Sequence, residues 1–133
     1  MLHSHTSNIF NSTTMKHQES KTQIECVKWF KLQYPKLAPL LFAVPNGGHR
    51  NAREASIMKQ EGITKGVADL ILLIPNKQFH ALCIEMKTIN NKQTITQIQW
   101  QTIVQQHGYK YIVCHSFDEF YTEVKNYLKN NDL

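Results

Sequence analysis

Residues 67–87 read VADLILLIPNKQFHALCIEMK, and the pairing of this stretch with itself decides the fold. Val67 to Ile74 is apolar on both faces, as suits a strand in the middle of a covered sheet, and Asp69 is its one interruption. Pro75-Asn76-Lys77 turns the chain, and Phe79 to Lys87 forms the next strand. That strand closes on Glu85-Met86-Lys87. Side chains two apart on a strand share a face, so Glu85 and Lys87 project together. A turn centred on Lys77 sets Leu73 opposite Ala81, Ile71 opposite Cys83 and Asp69 opposite Glu85. Directly opposed Cβ atoms on one face lie about 5 Å apart. Two carboxylates placed so close repel each other unless something positive lies between them. A divalent cation with oxygen ligands meets that need and keeps both ionised. Lys87 beside them would stabilise charge developing on a phosphate or orient a water. All of this depends on a symmetric hairpin. With the turn off-centre the opposition fails. In either register an ordinary reading also stands, in which Asp69 caps the strand start and Glu85 and Lys87 form a solvated, weak ion pair at a strand end.

Outward from the hairpin, the spacing predicts helices and strands in alternation. A helix runs from about His17 to Tyr34 and stops before Pro35, which disfavours helix in the residue it follows. Leu40 to Val44 reads as a strand, Pro45-Asn46-Gly47-Gly48 as a turn, and Asn51 to Glu61 as a short helix capped by Gly62. After Lys87 a helix starts at Thr94 or Thr96. Each has Gln three residues on, so the capping box leaves the register open. It ends at Gly108, and Tyr109 to His115 is a strand. Ser116-Phe117-Asp118-Glu119 is a capping box opening a helix to about Lys129, with Phe117, Phe120, Tyr121, Val124 and Leu128 as its apolar stripe. The expected fold is α/β, a mixed sheet flanked by helices. Residues 16–133 form the expected domain. The polar stretch 1–15 reads as a flexible N-terminal tail, since it lacks the apolar run of a signal peptide.

Composition narrows the function. A chain of 133 residues holds one domain with one modest core. Fifteen Lys and Arg against ten Asp and Glu give a formal net charge of +5, which favours a polyanionic partner. A hydrophobic fraction of 41% argues against a disordered chain. Cys26, Cys83 and Cys114 are odd in number and lack metal-ligand spacing, which argues against a disulfide scaffold or zinc ribbon and for a reducing compartment. None has an evident His or Asp partner, so a thiol nucleophile is a poor fit. No apolar run is long enough to cross a membrane.

Polar residues on inward-facing positions supply further candidates. Glu19, Gln23, Cys26, Phe30 and Tyr34 fall on one helical stripe, which aims Glu19 at the site as a third acidic group. The alternative is that Glu19 only complements the dipole at a helix start. Gln97 shares a face with Trp100, Gln101 and Val104, and reads equally as a site residue or as part of a capping box on Thr94. The amides of Asn46, Gly47 and Gly48 with Arg50 could contact phosphate, or could form an ordinary loop. Arg53, Lys65 and Lys92 would extend a basic surface, though each also reads as a solvated charge.

Asp69 followed by Glu85-Met86-Lys87 across a hairpin resembles the PD-(D/E)XK nuclease superfamily, and more closely its VRR-NUC family. The resemblance covers nearly the whole chain after the polar start. Glu19 with Gln23 resembles the family's opening helix motif, and Pro45-Asn46-Gly47-Gly48 with Arg50 its Pro-Asn-Gly segment. Glu61-Gly62 through Lys65-Gly66-Val67-Ala68-Asp69-Leu70 resembles the approach to the catalytic Asp. Gln97 with Trp100, then Gly108-Tyr109, resembles the later helix and last core strand. Ala68 stands where the superfamily's name has Pro, a backbone feature rather than a reacting group.

The resemblance implies a restriction-endonuclease-like αβββαβ core and a metal-dependent DNA endonuclease. It implies that Asp69 and Glu85 bind Mg²⁺ or Mn²⁺, with the backbone carbonyl of Met86 completing the ligands. It casts Lys87 as the group that activates water, Glu19 as a further acidic group acting through water or a second metal, and Gln97 as a positioner of Lys87 or the scissile strand. By family analogy, stand-alone members of this length point to branched or structured DNA, resolvase-like cutting by a homodimer, and a cytoplasmic setting in a bacterial cell or phage-infected host. A nicking or restriction-type nuclease, or a non-cleaving nucleic-acid-binding module, are the competing readings.

Overall fold

The structure, a computed structural model, describes residues 2–45 and 51–130, with the backbone alone over residues 2–13. Helix α1 spans Leu2–Gln33 and is followed by a 3-10 turn, Ala38–Leu40. Strand β1 is Leu41–Ala43, helix α2 is Ala52–Gln60, and strands β2 and β3 are Leu70–Leu72 and Leu82–Met86. Helix α3 is Ile95–Gln106, strand β4 is Lys110–Cys114, and helix α4 is Phe117–Lys129.

The order of elements is the expected one, and their ends differ in instructive ways. Helix α1 begins at Leu2 rather than near His17, so the backbone of 2–15 is helical where a tail was expected. No Gly or Pro occurs between residues 2 and 33, so nothing in the sequence stops the helix from extending N-terminally. The strands are shorter than the apolar runs that announce them. Between β2 and β3 the Asn76 side chain accepts from the N–H groups of Gln78 and Phe79, and Lys77 N–H donates to Asn130 O. These bonds take the connecting segment out of the ladder. Thr94, not Thr96, caps α3, and Asn51 and Ser116 cap α2 and α4. At α4 the expected capping box is half made: Ser116 accepts from Glu119 N–H, while the Glu119 carboxylate reaches past the cap to His115 N–H.

The four strands lie in the order β1-β2-β3-β4, antiparallel except for the parallel pair β3 and β4. Leu70 pairs with Ile84, Ile71 with Cys83, and Leu72 with Leu82, which is the register of a hairpin centred on Lys77. A slip of one residue would send every side chain of β3 to the other face. In the register found, Leu70, Leu72, Leu82, Ile84, Met86, Ile112 and Cys114 face one side of the sheet. They pack against Cys26 and Phe30 of α1 and Phe120, Val124 and Tyr127 of α4. Tyr127 takes the core place expected of Tyr121, which lies at the rim, and its hydroxyl donates to Ile74 O at 2.6 Å.

The other face is smaller. Ala68, Cys83 and Tyr111 are buried there beneath Trp100 and Val104 of α3. Alternation places Asp69, Glu85 and Lys87 on this same face, beyond its apolar patch. The large core on one side holds the sheet, and the polar residues collect at one end of the other.

Candidate active site

Asp69 immediately precedes β2, and its Oδ2 accepts a hydrogen bond from Met86 N–H at 2.7 Å. That bond ties the end of one strand to the end of its neighbour and holds Asp69 against Glu85. The two carboxyl groups are close enough to interact electrostatically, and the charge of Asp69 raises Glu85. The opposition expected from the sequence is therefore present, and it arises from the hairpin register.

Glu85 is 2% exposed and Lys87 is 8% exposed, uncommon burial for charged side chains. Each oxygen of Glu85 has a partner. Gln97 Nε2 donates to Oε1 at 3.0 Å, and the Tyr111 hydroxyl donates to Oε2 at 3.4 Å. Burial pushes the Glu85 carboxyl up to about 8, and the charge of Asp69 pushes the same way, while Lys87 and Tyr111 pull it down. Asp69 is raised too, by burial above all, against the Met86 N–H, which lowers it. The pair is under-compensated by protein charge alone.

Gln97 settles its two readings by serving both. Its Oε1 accepts from Thr94 N–H at 2.8 Å, its own N–H donates to Thr94 Oγ1 at 3.2 Å, and its Nε2 remains for Glu85. The capping box thus orients the amide whose other end steadies the carboxylate. Gln97 bonds to Glu85, where the family resemblance cast it as a positioner of Lys87 or the scissile strand. Gly66 brings α3 to this position. It has φ +84°, and a Cβ there would collide with the carbonyl of Thr96.

Glu19 reaches the site from α1, on the far side of the sheet end. Its Oε1 accepts from Asn91 Nδ2 at 2.7 Å and Thr88 N–H at 3.3 Å. Its charge raises Asp69, so it stands within electrostatic reach of the pair. Glu19, Gln23, Asp69, Glu85, Lys87 and Gln97 all line one cleft of about 1110 Å³. Lys16, Lys65 and Lys92 line it as well, giving it a basic margin over an acidic floor. Arg53 does not line the cleft and is exposed on α2. Asn46, Gly47, Gly48 and Arg50 lie outside the described residues.

Sequence reasoning missed Thr88, Asn91, Gln93 and Tyr111. Tyr111 sits in a run of strand-forming residues and reads as core. Its hydroxyl acquires a role only because β4 lies parallel beside β3, with Cys83 opposite Tyr111. Asn91 and Gln93 lie in a polar loop whose partners are distant in sequence.

The donor set suits a hard divalent cation. Among the described residues, no three His, Cys, Asp or Glu side chains gather closely enough to ligate one ion. Two carboxylates are present, with the Met86 carbonyl next to Glu85. Mg²⁺ keeps several waters and is held by one or two carboxylates together with substrate phosphates, so a fuller protein cage is not required. Burial and the charge of Asp69 both favour a proton on Glu85, and a cation between the two carboxylates would replace it.

A family model described as the VRR-NUC domain matches residues 10–118. A solved structure described as a VRR_NUC domain protein is 27% identical and superposes with a TM-score of 0.75, covering 86% of this chain and 90% of that one. No curated protein matches. The matched region starts at residue 10, inside the stretch expected as a tail, and takes in every residue of the cleft named above. No helix among the described residues is long and apolar enough to cross a membrane.

Proposed function

The chain belongs to the VRR-NUC family, a family of nuclease domains, and on that premise we propose that it is a Mg²⁺- or Mn²⁺-dependent DNA endonuclease. One observation carries the reading. Two opposed carboxylates and a buried lysine converge on one sheet face, inside a cleft with lysines on its margin. Asp69, Glu85 and the Met86 carbonyl would hold the ion. Bound there, it would supply Lewis-acid polarisation of the phosphate and lower the pKa of a coordinated water.

The residues of this chain divide the remaining work. Lys87 Nζ orients the attacking water and offsets negative charge growing on the phosphate oxygens. Gln97 holds Glu85 in place. Glu19, fixed by Asn91 and Thr88, adds negative charge on the α1 side and would act on the metal through water. Lys65 and Lys92 contact the backbone phosphates on either side, a role that needs no base specificity. Asn46, Gly47, Gly48 and Arg50 are proposed as further phosphate contacts.

The substrate reading is branched or structured DNA cut by a homodimer, whose two sites would cut two strands. It rests on family analogy. Labelled duplex, nicked, flap and four-way-junction DNAs, each incubated with Mg²⁺ or Mn²⁺, test it. Preferential cutting of the junction by a species of dimer mass in light scattering supports it. Equal cutting of all four would remove the substrate preference, and activity from a monomer would remove the paired sites.

A further inference from the structure

Behind the carboxylate pair runs a chain of hydrogen bonds that no step above uses. Tyr111 is 6% exposed, beneath α3, and its hydroxyl lies 3.4 Å from Glu85 Oε2. The same hydroxyl oxygen accepts from Gln93 Nε2 at 3.2 Å. Gln93 Nε2 also donates to Gln101 Oε1 at 3.0 Å. An amide nitrogen has two protons and no acceptor capacity, so both donors of Gln93 are committed. With Gln93 donating to it, the Tyr111 hydroxyl is left to give its own proton to the carboxylate. The direction of every bond from Gln101 to Glu85 is thereby set.

We infer that Tyr111 is a positioning residue for the metal-binding carboxylate Glu85, and that Gln93 fixes the direction in which its hydroxyl donates. Together with Gln97, Tyr111 holds both oxygens of Glu85 before any metal arrives. The consequence is for the ligand's geometry. A carboxylate held at both oxygens cannot rotate away from Asp69, so less ordering is left to be done on binding. Groups that orient metal ligands from behind matter on the scale of 10- to 100-fold in affinity.

The inference rests on the metal-binding reading of Asp69 and Glu85, and the test separates the two. Mn²⁺ binding to the DNA-free protein is measured by calorimetry for wild type, Tyr111→Phe, Gln93→Ala and the double variant. Thermal unfolding and binding of duplex DNA without metal are measured alongside. Tyr111→Phe keeps the ring under Trp100 and is expected to weaken Mn²⁺ about tenfold while DNA binding without metal stays at the wild-type level. Gln93→Ala is expected to weaken it by a smaller factor and to add nothing in the Tyr111→Phe background, because its effect passes through the hydroxyl. That non-additivity would not follow from a merely structural role. Wild-type Mn²⁺ affinity in Tyr111→Phe would overturn the inference alone. If Tyr111→Phe fails to fold, Gln93→Ala decides: weakened Mn²⁺ binding supports the relay and unchanged binding overturns it. No Mn²⁺ binding by the DNA-free wild type would overturn the inference while metal-dependent cleavage upholds the metal reading; the absence of both would overturn the two together.

Discussion

Replacing Glu85 by Gln should change how the metal-free protein's stability depends on pH. Glu85 is 2% exposed, and burial beside Asp69 pushes it up to about 8 from an ordinary value of 4.5. The folded chain therefore binds its proton more tightly than the unfolded chain does. The resulting stabilisation is fully present below about 4.5, erodes as pH rises and is lost as pH passes about 8. One pKa unit corresponds to ~1.4 kcal/mol, so a shift of this size amounts to a few kcal/mol, on the order of 10 °C in Tm for a domain of this length. Gln cannot ionise. It keeps an acceptor for Gln97 and leaves the Tyr111 proton without its carboxylate, which costs about 1 kcal/mol at every pH. The informative quantity is then the difference in slope. Unfolding is followed by calorimetry in EDTA from pH 5.5 to 8.5 for both proteins. Wild type should lose several degrees more than Glu85→Gln over that range. Mg²⁺ should restore wild type at pH 8.5 and leave the variant unmoved, since a cation replaces the lost proton. Parallel pH profiles, or equal stabilisation of both proteins by Mg²⁺, would refute the picture of an under-compensated carboxylate pair.

Two other perturbations probe the scaffold. Gly66→Ala places a Cβ against the Thr96 carbonyl at a positive φ, and should cost about 1–3 kcal/mol while lowering kcat, because α3 must shift and carry Gln97 with it; full activity with unchanged Tm would contradict the tight approach. Gln97→Ala removes part of a cap and a donor to Glu85 together, so denaturant unfolding should show a loss of about 1 kcal/mol and the Mg²⁺ needed for half-maximal cleavage should rise. A loss of stability with an unchanged Mg²⁺ requirement would leave Gln97 as a cap only.

Much of the site could be read from the sequence because it depends on local rules. The hairpin register follows from turn position and alternation, and once Leu72 faces Leu82 the places of Asp69 and Glu85 follow. The caps at Asn51, Thr94 and Ser116 follow from side-chain chemistry within four residues. Long-range pairing is less legible. Glu19 lies on the predicted stripe, yet its partners Thr88 and Asn91 become neighbours only when α1 crosses the sheet end. Tyr111 reads as a core aromatic until β4 lies parallel to β3 and the hydroxyl meets Glu85. Element ends fall between these cases. The extension of α1 to Leu2 has no capping signal to announce it, and β2 stops at Leu72, where Ile74 N–H turns back to Leu72 O.

The most direct test of the account is a cleavage assay on four-way-junction DNA with wild type, Asp69→Asn and Lys87→Ala, each in EDTA and in Mg²⁺ or Mn²⁺. Asp69→Asn keeps an oxygen for the Met86 N–H but removes a charge from the cation's seat, and Lys87→Ala removes the one buried cation beside it among the described residues. The account predicts metal-dependent cleavage by wild type, none in EDTA, and a fall of at least about 10³-fold in both variants, with DNA binding retained. Cleavage in EDTA, or wild-type rates from either variant, would contradict it.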